Sequence, residues 1–322
     1  MELFRNKKIL IIGDVMLDSY LFGNVDRISP EAPVPIIDVI VKNNKLGGAA
    51  NVAANIKNLG GTPILCSIIG KDQKAELFLS LLKNAKISID HIYQSENRIT
   101  TTKTRVIGNN HQMLRIDEEI KSELGKDQKQ FIININKIFE DENIDCILIQ
   151  DYDKGILNES VINSIIIKSK SLNIPIIADP KKKNFSHYKN ITLFKPNFKE
   201  LKEGLNIINS DRIKLLESGA KILHKRGIGI VFVTLSENGI FVSYKKDNKI
   251  INKIIPGIAR DIVDISGAGD SVISVISMLL NDIDIEEIAK IANIAGGIVC
   301  EEVGVEPIDE DKLLKEYYEA KN

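Results

Sequence analysis

Two patterns of apolar spacing take turns along the chain. Short continuous Ile/Val/Leu runs recur at KKILIIGD near the start, TPILCSIIG (62–70), DCILIQD (145–151), IPIIADP (174–180), ITLFKPN (191–197) and IGIVFVTLS (228–236). Between them, GGAANVAANIKNLG (47–60), DQKAELFLSLLKNA (72–85), ESVINSIIIKSKSL (159–172) and the stretch from Asp211 to Lys225 place apolar residues three and four apart, which predicts helices. Runs that are apolar on both faces predict strands covered on both sides, as in a parallel sheet flanked by helices, so the fold class is α/β. Two regions depart from this alternation. Residues 20–41 carry three prolines and short strand-like pieces, and TTKTRVIGNNHQMLRID (101–117) alternates apolar with polar residues like a half-exposed antiparallel hairpin. Together they predict a small β lid over the edge of the main sheet. The C-terminal part, IEEIAKIANIAGGIVCEEVG and then DEDKLLKEYYEA, reads as helical.

Composition narrows the function classes. The 322 residues are 43% hydrophobic and 27% charged with a formal net charge of −1, an ordinary globular balance that gives no support to non-specific nucleic-acid binding. Trp is absent and aromatic residues make up 5%, so base-stacking platforms are scarce. Cys66, Cys146 and Cys300 form no C-x-x-C pair and read as buried small hydrophobes in a reducing compartment. The N-terminal apolar run ILII is stopped at once by Gly13 and Asp14, so it does not make a secretory signal. No segment approaches a membrane span, and the expected location is cytoplasmic. The four histidines, His91, His111, His187 and His224, show no metal spacing.

The candidate chemistry sits in DISGAGDS (264–271), just before the apolar helical run VISVISMLL. A helix N-terminus offers unpaired N–H groups and the positive end of the helix dipole, and glycines let an anion approach that backbone closely. GAG at 267–269 therefore suits a phosphate, or it is only a tight strand-to-helix turn. A carboxylate beside an anion site repels the anion unless it has work there, and the useful work for Asp270 is to take a proton from a hydroxyl that attacks a phosphoryl group. The segment is neither a Walker loop nor a dinucleotide fingerprint.

Further stretches, in order, carry a resemblance: GDVMLDSYLFGNVDRISPEAPVPI (13–36), LGGAANVAANIKNLGG (46–61), KTRVIGNNHQMLRID (103–117), QDYDKGIL (150–157), ADPKKKNF (178–185), KPNFKE (195–200), VTLSENG (233–239) and the GAGD segment. On these residues the chain resembles the ribokinase-like sugar kinases. RISPEAPVP and QDYDKG resemble the branch that phosphorylates D-glycero-β-D-manno-heptose 7-phosphate on its anomeric hydroxyl. The resemblance implies a three-layer sandwich with a mainly parallel central sheet and a β lid, and ATP used with Mg²⁺. It implies Asp270 as catalytic base and the backbone of Gly267, Ala268 and Gly269 as anion hole. It also implies an Asn-x-x-Glu motif at Asn197, Phe198, Lys199 and Glu200, with Glu200 near Mg²⁺ through water. That motif has a local reading too, as a helix cap and a first-turn acid. Thr234, Ser236 and Gly239 match the nucleotide loop, with Ser236 departing from the glycine of the broad family, and Asn293 is implied on the nucleotide side.

On the sugar side the resemblance implies Asp14, Asp18, Gly47, Gly48, Asn51 and Asp151. Asp14 also ends the first strand, where open α/β sheets bind ligands. The cations available for a substrate phosphate are Lys103, Arg105, Lys154 and Lys181. The expected organisation is a single kinase domain over 1–322 with lid segments near 18–41 and 101–117, without a nucleotidyltransferase domain, either stand-alone or one half of a bifunctional protein. A separate nucleotidyltransferase would then act later in the pathway. A homodimer through the lid is expected, because an exposed apolar flap is better covered than wet. Two alternatives stay open: a kinase for another sugar or sugar phosphate such as ribose, fructose or fructose 1-phosphate, and a non-catalytic sugar-phosphate-binding regulator.

Overall fold

The structure, a computed structural model, describes residues 3–4, 6–207 and 211–321. The chain enters on β1 (Lys8–Gly13) and then leaves the main layer in two 14-residue strands, β2 (Val15–Ile28) and β3 (Pro35–Gly48). It returns through α1 (Ala49–Asn58), β4 (Thr62–Gly70), α2 (Gln73–Asn84) and β5 (Ile92–Ser95). A hairpin of β6 (Thr102–Gly108) and β7 (His111–Glu118) follows. Then come α3 (Gln128–Asp141), β8 (Cys146–Gln150), α4 (Glu159–Leu172), β9 (Ile176–Asp179) and β10 (Leu193–Phe194). The chain continues through α5 (Phe198–Leu205), α6 (Arg212–Lys225) and β11 (Ile230–Thr234) to a second hairpin, β12 (Ile240–Lys246) and β13 (Lys249–Ile255). It closes on α7 (Ala268–Leu279), α8 (Ile285–Val299) and α9 (Glu310–Lys321).

Among the described residues the central sheet has nine strands in the order β13-β12-β11-β10-β9-β8-β1-β4-β5. The pairs from β5 to β11 are parallel, and β12 and β13 add an antiparallel edge. The continuous apolar runs have a physical reason. Side chains alternate faces along a strand, and Ile9 and Ile11 enter one core with α1, α2, α7, α8 and α9, while Leu10 and Ile12 enter the other with α3, α4, α5 and α6. Each strand thus serves two helical layers, which gives the three-layer sandwich. All three cysteines are buried thiols.

A second sheet, β3-β2-β6-β7, forms the lid. The tip between β6 and β7 is Asn109-Asn110, both at positive φ (50° and 65°), the backbone a two-residue hairpin turn requires. The short pieces predicted over 20–41 are corrected to two long strands: Pro30 and Pro33 lie in the connection and Pro35 opens β3, so none interrupts the ladder. The strand predicted over 191–197 shrinks to Leu193–Phe194 with one further bridge from Asn197 to Thr234, because Pro196 has no N–H to donate. Gly47 and Gly48 close β3, and Gly48 at φ 59° is at the same time the N-cap of α1, so the glycines lead into the helix as expected. The apolar pattern did not anticipate α3, β5 or the β12–β13 edge.

β1 lies between β4 and β8, so the strand order reverses beside it. Connections leave such a reversal in opposite directions and open a crevice at the carboxyl ends of the strands. Asp14, Gln150, Asp151 and Asp179 stand at or just beyond those ends, after β1, β8 and β9.

Candidate active site

The GAGD turn meets that crevice. Gly267, at φ 85°, takes a left-handed turn that leads the loop into α7, a conformation a side chain would strain. No side chain caps this helix start among the described residues. Gly269 is exposed, and the nearest neighbour a Cβ there would meet is Lys195 Nζ at 3.8 Å. Lys195 is itself buried, 3.0 Å from Asp179 Oδ2. The first turn of α7 therefore offers open backbone beside a buried cation, the arrangement that attracts a phosphoryl group.

Asp270 follows one residue later and is 3% exposed. Its Oδ1 accepts hydrogen bonds from the Tyr152 hydroxyl at 2.7 Å and Gln150 Nε2 at 2.9 Å, and its Oδ2 from Asn51 Nδ2 at 2.9 Å. Burial pushes its pKa up to about 6, against the hydrogen bonds from Asn51 and Tyr152 that favour the charge; Asp179 adds to the rise and Lys195 opposes it. A carboxyl so placed is ionised at neutral pH yet more basic than an exposed acid, as a general base should be.

Asp14 is also buried, and its oxygens accept from the backbone N–H groups of Tyr152 (2.8 Å), Lys154 (3.2 Å) and Ile156 (3.4 Å). Burial, and then the neighbouring Asp151, push its pKa up to about 7. It ties the 150–157 loop to β1. Asp151 turns inward, accepting from Asn184 (2.9 Å), Tyr188 (3.0 Å) and the Asp153 N–H (2.9 Å). Asp18 pairs with Arg105, and its Oδ2 lies where a Cβ on Gly47 would be 2.1 Å away.

The predicted cations separate into groups. Arg105 is held by Asp18, and Lys181 by Glu200. Lys103 and Lys154 converge on Glu119, at 3.7 and 2.7 Å, and Lys121 joins at 3.0 Å. Lys103 lies closer still to Asp117, at 3.0 Å, so the three ammonium groups share two carboxylates, Glu119 and Asp117.

Asn197 and Glu200 form a reciprocal capping box at the start of α5, so the local reading holds for their mutual bonds. Asn197 also bridges to Thr234. Beyond Thr234, Ser236 sits at φ 54°, the left-handed backbone where the broad pattern has glycine. Asn293 donates to the carbonyls of Ile255 and Pro256, both at 3.2 Å, and a Cβ on Gly239 would meet that same Ile255 carbonyl at 2.0 Å. These contacts gather Thr234, Ser236, Gly239 and Asn293 around the turn between β11 and β12 and the end of β13. Phe198 instead packs under Arg212, and Lys199 is exposed beside Glu203. Neither side chain hydrogen-bonds to another candidate residue among those described.

Gln150, Tyr152, Asp179 and Lys195 were not singled out from the sequence, although the quoted stretches QDYDKGIL, ADPKKKNF and KPNFKE contain them. The usable signal was position: each lies at or just past the end of a buried strand. A hollow of about 470 Å³, lined by Glu123, Gln128, Asn158, Lys183, Asn184 and His187 among others, holds none of the candidate residues. Among the described residues no group of three or more His, Cys, Asp or Glu could hold a metal ion, and no helix is long and apolar enough to cross a membrane.

Comparison with known proteins adds to this geometry. The family described as pfkB family carbohydrate kinase matches residues 6–312. The chain is 36% identical over 312 residues to the Bifunctional protein HldE of Helicobacter hepaticus, covering 97% of this chain and 64% of that protein. It is 36% identical over 309 residues to that of Methylobacillus flagellatus, covering 96% and 62%. The chain thus spans less than two thirds of the length of these curated relatives. Its fold is similar to Escherichia coli phosphofructokinase-2 in complex with potassium, with TM-score 0.80 at 20% identity over 99% of this chain and 100% of that one. It is also similar to Arabidopsis thaliana ribokinase complexed with ribose and ATP, with TM-score 0.73 at 18% identity over 97% and 99%.

Proposed function

The chain belongs to the pfkB family of carbohydrate kinases, and from that premise we propose that it transfers the terminal phosphoryl group of ATP to the anomeric hydroxyl of D-glycero-β-D-manno-heptose 7-phosphate. One observation carries the chemistry: a buried carboxyl with its pKa raised to about 6, Asp270, follows directly on the open backbone of Gly269 beside Lys195. In this proposal Asp270 takes the proton of the anomeric hydroxyl as its oxygen attacks the phosphorus. The Gly267, Ala268 and Gly269 backbone and Lys195 neutralise charge on the phosphoryl group in flight, and in-line positioning supplies most of the rate. The choice of sugar is supported by the RISPEAPVP and QDYDKG stretches and by the 36% identity, over 96–97% of this chain, to part of the proteins named HldE.

The 7-phosphate would be received by the cluster of Lys103, Lys121 and Lys154, displacing Glu119 as their counter-charge. Gly47, Gly48, Asn51, Asp14 and Asp18 would lie along the sugar. ATP would lie at the Asn197, Thr234, Ser236, Gly239 and Asn293 end. Mg²⁺ would be held there through water by Glu200, whose oxygens now pair with Lys181 and the Asn197 N–H, because Mg²⁺ prefers oxygen donors, keeps several waters and needs few direct protein ligands. It would supply charge neutralisation to the ATP phosphates. The proposal includes one kinase unit, a cytoplasmic location where ATP is available, and a nucleotidyltransferase acting on a later product.

It also includes a homodimer through the lid. The lid sheet exposes Ile28, Val39, Ile40, Val41, Met113 and Leu114, apolar surface that water does not favour. Equilibrium sedimentation at micromolar concentration is expected to return the dimer mass; a monomer alone would remove this part.

The direct test of the substrate is mass spectrometry of the product formed from ATP and heptose 7-phosphate, with glucose, fructose and ribose as controls. A bisphosphorylated heptose formed faster than any control product is the expected result. A faster control would keep the kinase and replace the sugar.

A further inference from the structure

Tyr152 contacts three candidate residues from three separate elements and faces a fourth. Its backbone N–H donates to Asp14 at 2.8 Å, after β1. Its hydroxyl donates to Asp270 Oδ1 at 2.7 Å, in the first turn of α7. Its ring lies below the Lys181 ammonium, which is 5.4 Å from the ring centroid, just past β9. A Cβ on Gly48, at the end of β3, would stand 3.5 Å from ring atom Cδ2. Tyr152 is therefore where the loop after β8 reaches both the base and the glycines along which a sugar would lie.

The lone pairs of Asp270 show what this contact does. Each carboxylate oxygen has two acceptor sites. Oδ1 takes Tyr152 and Gln150, and Gln150 Nε2 also reaches Asp179 Oδ2 at 3.4 Å. Oδ2 takes Asn51 alone among the described residues. One acceptor site on Oδ2 is left for a hydroxyl.

We propose that Tyr152 is a positioning residue of this kinase: with Gln150 it pins Oδ1 of Asp270, so that Oδ2 is the oxygen presented to the acceptor hydroxyl, and its ring walls the sugar side of the cleft. The inference rests on Asp270 being the base. Tyr152 keeps its own proton throughout, because burial, and then Asp270 and Asp179, hold its pKa well above the ordinary tyrosine value. The proton from the acceptor goes to Asp270. The charged groups facing Asp270 are Asp179, Lys195 and Lys181, and the neutral donors are Asn51, Gln150 and Tyr152.

Tyr152→Phe removes one donor and keeps the ring. Asp270 then loses a hydrogen bond to its ionised form and holds its proton more tightly. The acid limb of kcat/KM, which the raised pKa of Asp270 leads one to expect near pH 6 in the parent enzyme, should move up by on the order of one pH unit. With ATP and heptose 7-phosphate as substrates, kcat on the alkaline plateau should fall about tenfold, with KM for ATP unchanged. Asp270→Asn is assayed alongside. If Asp270→Asn is inactive and Tyr152→Phe keeps the parent limb and plateau, Tyr152 has no positioning role. Early melting and lost ATP affinity in Tyr152→Phe would make it merely structural and equally end the proposal. If Asp270→Asn retains activity, the base assignment itself fails, and the Tyr152 role falls with it.

Discussion

Asp270→Asn is expected to lower turnover by about two orders of magnitude or more, with ATP affinity nearly unchanged. The substitution keeps the shape and removes the capacity to take a proton. It also breaks the local pattern of donors, since Asn51, Gln150 and Tyr152 all aim N–H or O–H groups at this side chain. An amide offers them one oxygen instead of two. The loss should nevertheless appear in the chemical step. The folded pKa of about 6 lies above the ordinary aspartate value, so the site is most favourable to the fold at low pH and loses that contribution as pH rises through 6. At pH 8 the native carboxylate is a burden on stability that the amide does not carry, so unfolding is not the expected cause of inactivity. The same pKa gives the sign of the activity profile. The parent enzyme should lose kcat/KM as pH falls through about 6, because the base is then protonated. Steady-state kinetics from pH 5 to 9, together with nucleotide titration of the variant, check both statements. Near-normal turnover in Asp270→Asn would remove the base assignment.

Gly269→Ala should separate activity from stability in opposite directions. Gly269 lies in the first turn of α7, and an added Cβ meets nothing closer than Lys195 Nζ at 3.8 Å. The fold can therefore accept the methyl group. Alanine in place of glycine in a helix stabilises by up to about 1 kcal/mol. The same methyl stands in the opening where a phosphoryl group would contact the backbone, and losing one such donor elsewhere costs ~10²-fold or more. Turnover should fall by about that factor while the melting temperature holds or rises. A variant with normal turnover would show that phosphate does not approach this turn; a large drop in melting temperature would show that the space is not free.

The lid illustrates a limit of reading by pattern. Alternation over 101–117 identified its second hairpin, and the Asn109-Asn110 tip supplied the turn chemistry. The first hairpin was harder, since three prolines within 20–41 suggested broken pieces. Their actual places, in the connection and at the opening of β3, depend on where the strands pair. The cations illustrate the same limit at the site. Lys103, Arg105, Lys154 and Lys181 were all candidates in the sequence, with Arg105 marked by its bidentate fork and Lys181 set in a run that also reads as exposed charge, and Asp18, Glu119 and Glu200 sort them by distance in space.

By itself the amino-acid sequence determined the layer architecture, because strands apolar on both faces require helices on both sides, and it determined which turn carries an open helix start followed by an acid. Those are local properties, legible from neighbours in the chain. Only the tertiary structure decided that Asn51, Gln150 and Tyr152 meet on Asp270, that Lys195 lies beside Gly269, and that Glu119 gathers three lysines. The physical reason is that a raised pKa or a cluster of like charges is made by burial and by partners up to about 220 positions away in the chain, and a linear pattern carries no measure of either.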